Sequence, residues 1–70
     1  MNSKLADWLL SNKHVSITAP VNPKIKVIWR STGDVLFEDT EDKCLSWEGT
    51  EIWYVVEWTY TDNIFTVIVI

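Results

Sequence analysis

The chain has 70 residues, a net charge of −4, five tryptophans and a single cysteine. That length holds one domain at most, and a chain so short needs very good packing, a crosslink or a partner to stay folded. One cysteine excludes an intrachain disulfide framework and points to a reducing compartment, and with one distant histidine it falls short of the four ligands of a structural zinc site.

The charge is divided unevenly. Residues 1–33 carry five cations against one acid, +4, whereas residues 34–70 carry one cation against nine acids, −8. Such asymmetry either steers a charged partner or is neutralised across the fold. The N-terminus MNSKLADWLLSNKH lacks a long apolar core and a small-residue cleavage pattern, so no signal peptide is expected. Unbroken apolar runs stay far below the roughly 18 residues of a membrane span. The expected location is the cytoplasm, without membrane attachment.

In chain order, Ser3 is the expected cap of a short helix reaching Leu10 or Ser11. Leu5, Trp8 and Leu9 share its apolar face. A helix of under three turns does not persist alone, so docking of those side chains must hold it. The segment from His14 to Pro20 alternates weakly, with Val15 and Ile17 on one side, and predicts a short edge strand. Pro20 and Pro23 punctuate the following link.

Lys24 to Arg30 predicts a strand with Ile25, Val27 and Trp29 on one side and Lys26, Ile28 and Arg30 on the other. Ser31-Thr-Gly-Asp turns the chain, and Val35 to Glu38 returns it. A connection of Thr32 to Asp34 pairs Ser31 with Val35 and sets Trp29 on the face of Phe37, separating an apolar face from a charged one. Glu38 to Lys43 reads as a polar connection, Cys44 to Glu48 as a short strand, and Glu48-Gly-Thr as a turn.

The final hairpin is the clearest element. Asp62-Asn63 tolerates the positive backbone angles of a two-residue loop. That loop pairs Tyr60 with Phe65, Trp58 with Val67 and Val56 with Val69. The opposite face then carries Trp53, Val55, Glu57 and Thr59 beside Ile64, Thr66, Ile68 and Ile70. It is too apolar for a wetted sheet face. The alternation of Ile64 to Ile70 favours a central place in the sheet, although an edge position remains open. The expected fold is α+β: a short N-terminal helix packed on a curled antiparallel sheet of four or five strands. A small SH3-sized β-barrel is the alternative.

No catalytic constellation emerges. No spacing couples His14 to Cys44, and Cys44 reads as a small buried apolar residue. Asp39, Glu41 and Asp42 lack the spacing and glycine of a calcium loop, and Gly33 and Gly49 are isolated turn glycines. No enzyme activity, cofactor or metal is expected.

Association is the remaining class. Tryptophan is a frequent interface anchor, and Trp47, Trp53, Ile64, Ile68 and Ile70 are the candidate protein-interface residues. The expected partner is another protein or a second copy. An accessory or inhibitory role follows from size and composition, such as a small phage or mobile-element product that occludes a host factor. A second hypothesis makes Asp34, Glu38, Asp39, Glu41, Asp42, Glu48 and Glu51 an acidic surface that mimics nucleic acid and blocks a DNA- or RNA-binding enzyme. A third has Lys24, Lys26 and Arg30, with Lys4 and Lys13, bind nucleic acid beside Trp29. Overall negative charge disfavours it.

Overall fold

The computed structural model describes residues 3–11 and 23–70. Strand β1 (Ser3–Lys4) leads into helix α1 (Leu5–Ser11), and β2 (Lys24–Trp29) and β3 (Val35–Thr40) follow. Helix α2 (Glu41–Leu45) and a 3-10 helix (Glu48–Glu51) precede β4 (Tyr54–Thr61) and β5 (Ile64–Val69). One sheet takes all five strands in the order β1-β4-β5-β2-β3. The architecture is α+β, with the helix packed against an open sheet that does not close into a barrel.

The sheet is mixed, and this corrects the antiparallel expectation: β2 and β5 run parallel, from Lys24 beside Ile64 to Trp29 beside Val69. Alternation specifies which side chains face the core, but it is silent on strand direction. With β4 on one side and β2 on the other, β5 fills the central place that its apolar pattern favours. Its Phe65, Val67 and Val69 are buried, as are Ile25 and Val27 of β2. Leu5, Trp8 and Leu9 of α1 close over the same face and are themselves buried. These residues are the apolar stripe that the helix needs in order to dock.

Several local expectations are corrected. Ser3 does not cap α1, because it lies in β1 opposite Val55, and the helix starts at Leu5. The expected strand over His14 to Pro20 lies outside the described residues. The segment from Cys44 to Glu48 is not a strand. Glu41 and Asp42 open α2, where acids suit a helix N-terminus, and Cys44 turns onto the core.

Between β2 and β3 the loop is longer than expected. Gly33, at φ 78°, donates its N–H to Trp29 O (2.7 Å), and Trp29 N–H reaches Asp34 O (2.9 Å). Val27 therefore faces Phe37, and Ile28 faces Val35 across a bulge. The bulge lets consecutive Leu36 and Phe37 both pack against the core.

A second bulge alters the last hairpin. Asp62 and Asn63 hold φ 53° and 65°, and Tyr60–Phe65 and Trp58–Val67 pair as the sequence predicts. Val69, however, faces Val55, with the register shift falling between Val55 and Glu57. An extra residue in a strand exchanges the faces of everything beyond it. Val55 is consequently buried in the core, and Trp53 packs against the same side.

Candidate functional site

The five expected interface residues separate onto two faces. Trp47 and Trp53 are half-buried against the core. Trp47 stacks on Phe37 with ring centroids 5.0 Å apart, and Trp53 lies 5.5 Å from Trp29. Ile64, Ile68 and Ile70 belong to the other face of the sheet, away from both helices. Trp53 is thus removed from the surface that these isoleucines form, and the bulge after Val55 is the reason.

The register orders that second face. One row runs Glu57, Ile68, Ile28, Val35 across four strands. Beside it, Tyr54 and Ile70 exchange backbone hydrogen bonds of 3.1 and 2.9 Å, so their side chains share the face. Farther along lie Thr59, Thr66, Lys26 and Glu38, then Thr61, Ile64, Lys24 and Thr40. An apolar band of Tyr54, Ile70, Ile68, Ile28 and Val35 therefore occupies one end of the face, and a polar field the other.

No described element covers the band: Tyr54, Ile70 and Val35 are 41%, 46% and 49% exposed, and Ile28 and Ile68 are half-buried. Ile28, Val35 and Tyr54 were not expected in it. The signal was the isoleucine standing between Lys26 and Arg30 on the otherwise charged side of β2.

The charged residues are distributed differently from a single patch. Asp34, Glu38, Asp39, Glu41 and Asp42 follow β3 and α2, where Glu38 faces Lys26 and Asp39 lies 3.7 Å from Lys43. Glu51 instead reaches Lys4 of β1, at 3.9 Å, on the opposite edge of the sheet. Glu48 opens the 3-10 helix, which lies beside α1. Lys24 and Lys26 stand on the open face, whereas Trp29 belongs to the core side, so β2 does not set aromatic and basic groups side by side.

Cys44 is fully buried. Loss of solvent pushes its thiol up from 9.0 to about 12, and the charge of Glu41 adds to the effect. A neutral, enclosed thiol is a poor nucleophile at neutral pH. The same shift has a signed effect on stability. The unfolded chain loses this proton near pH 9 and the folded chain only near pH 12. The contribution is complete below the lower value and disappears as pH rises through the higher one. The stability of the wild-type chain is expected to drop about 1.4 kcal/mol per pH unit faster than that of Cys44→Ala in this window. Urea midpoints between the two values measure it, and parallel curves would contradict it.

Among the described residues there is no group of three or more His, Cys, Asp or Glu placed to hold a metal, and no enclosed cavity. His14 lies outside them. No described helix is long and apolar enough to cross a membrane. Comparison with protein families, with characterised proteins and with solved structures finds no match to this chain.

Proposed function

We propose that this protein is a non-catalytic binding domain that docks another protein on the open face of its sheet. The supporting observation is the band of Tyr54, Ile70, Ile68, Ile28 and Val35, which no described element covers and which spans β4, β5, β2 and β3 without a break. A sheet face in water ordinarily alternates to polar residues. Full burial of one such side chain contributes about 1.5–3 kcal/mol, so covering the remaining exposed part of several is a substantial drive to associate. Lys4, Arg30 and Glu57 flank the band in the register, supplying the polar rim typical of an interface. An accessory or inhibitory role, in which the chain occludes its partner, agrees with this arrangement.

The test is a double substitution, Val35→Lys with Ile70→Lys, at two positions already about half exposed (49% and 46%). The circular dichroism spectrum is expected to stay unchanged. A partner retained from the source cell by the wild-type chain should be lost by at least an order of magnitude. Equal retention by both chains would remove the band from the function.

A further inference from the structure

The two edges of the sheet are finished differently. At β4, the short β1 takes up only the first part of the edge: Ser3 faces Val55, Lys4 faces Tyr54, and Leu5 N–H donates to Trp53 O at 2.9 Å. The chain then leaves the edge, because α1 turns onto the core face. From Val56 to Thr61, no strand among the described residues lies outside β4.

The backbone direction there follows from the hairpin. A two-residue turn makes its flanking residues, Thr61 and Ile64, a hydrogen-bonded pair. Thr61, Thr59 and Glu57 therefore aim their N–H and C=O groups at β5, and Trp58 and Tyr60 aim theirs outward. The side chains of Trp58 and Tyr60 are 40% and 38% exposed, although they lie on the core face against Phe65, with ring centroids at 5.7 and 4.4 Å. This edge has no proline and no glycine, and its one charged residue before the turn is Glu57. Open strand edges with so little charge are templates for pairing.

We infer that the β4 edge pairs antiparallel with β4 of a second copy of this chain, about a two-fold axis at Thr59, joining the two sheets into one. In this register Trp58 of each copy exchanges both backbone bonds with Tyr60 of the other, so the outward groups of both residues are satisfied. The same pairing sets Trp58 beside the other copy's Tyr60 on the core face, an aromatic cross-strand pair. Glu57 faces Thr61 of the other copy and meets no like charge.

Two-fold pairing is self-complementary by construction, and what distinguishes the two edges is their charge. Strand β3 follows Asp34 and carries Glu38 and Asp39, so its edge is more acidic than the Val56–Thr61 stretch of β4, and the added like charge opposes pairing of two copies there. The inference is independent of the apolar band, which lies on the opposite face of the sheet from Trp58 and Tyr60. Pairing of a single edge falls below the roughly 1,200–2,000 Å² of a standard interface, and a weak, concentration-dependent dimer is the outcome.

Thr59 is exposed, so charge there is tolerated by the fold. Sedimentation of the wild-type chain from about 10 µM to about 1 mM should show monomer giving way to dimer. Thr59→Lys sets lysine against lysine at the axis and should weaken the dimer about fivefold, as should Thr59→Glu; an equimolar mixture of the two should restore it. Unchanged circular dichroism and unchanged association in Val35→Lys with Ile70→Lys complete the expected pattern. A wild-type chain that stays monomeric at the highest concentration overturns the inference. A dimer indifferent to charge at Thr59 overturns it as well, and a dimer lost in the Val35, Ile70 double variant assigns self-association to the apolar band instead.

Discussion

Trp8→Ala is expected to remove a large share of the chain's stability. Trp8 is buried, and its ring meets Trp58 at 5.6 Å and Phe65 at 5.8 Å, both edge-on. It is the largest of three side chains by which α1 holds the sheet, and a helix of 7 residues has no stability of its own. Truncation of a core tryptophan costs about 3–5 kcal/mol. By the usual range per residue, a chain of this length has only about 4–10 kcal/mol in total. Urea titration followed by far-ultraviolet circular dichroism measures the loss. Leu10→Ala, on the exposed side of the same helix, is the control and should stay within about 0.5 kcal/mol. A Trp8→Ala chain that loses under about 1 kcal/mol would show that α1 is not what closes the core.

Gly49→Ala is expected to dislodge Trp47. A Cβ at Gly49 would stand 2.5 Å from Cζ2 of Trp47 and 2.6 Å from Cε2 and Cη2. The ring cannot withdraw freely, because its other side stacks on Phe37 at 24°. Nor can the backbone: Ile52 and Trp53 N–H both donate to Gly49 O, at 3.0 and 3.1 Å, and Thr50 binds Trp47 O through its N–H (3.1 Å) and Oγ1 (2.8 Å).

Overpacking of this kind costs about 1–3 kcal/mol. The near-ultraviolet circular dichroism of the tryptophans should change with it. Gly33→Ala separates space from backbone: its Cβ meets nothing within 4 Å, and only its φ of 78° is strained. That variant should lose about 1 kcal/mol and leave the tryptophan signal alone. A Gly49→Ala chain as stable as wild type, with its tryptophan signal intact, would refute the close fit.

Both variants test the enclosed side of the sheet. The two proposed association surfaces lie elsewhere, on the outer face and along β4 from Val56 to Thr61. Their substitutions at Val35, Ile70 and Thr59 therefore leave the core contacts in place, and loss of binding can be separated from loss of fold.

Local chemistry made part of this molecule legible in its residues. Leu5, Trp8 and Leu9 recur at helical spacing, and they form the buried stripe of α1. Asp62-Asn63 admits left-handed angles, and the turn forms there, fixing Tyr60 opposite Phe65 and Trp58 opposite Val67. The apolar excess of Ile64, Ile68 and Ile70 on a second sheet face was visible without coordinates, because alternation within a strand needs no knowledge of its neighbours. Glu41 and Asp42 mark a helix start only in retrospect, since a five-residue helix shows too little periodicity to be distinguished from a short strand.

What the tertiary structure alone decided was direction, bulges and neighbours. Parallel pairing of β2 with β5 leaves no mark in either strand, for the same alternation serves both orientations. The extra residue between Val55 and Glu57 follows from how β4 meets β5, and it carried Trp53 and Val55 inward. The Ile28, Val35 pair lies far along the chain from Tyr54 and Ile70, and strand order brought them into one band. A sequence sets the faces of each strand, but the hydrogen-bonded ladder between strands determines which faces join into a surface.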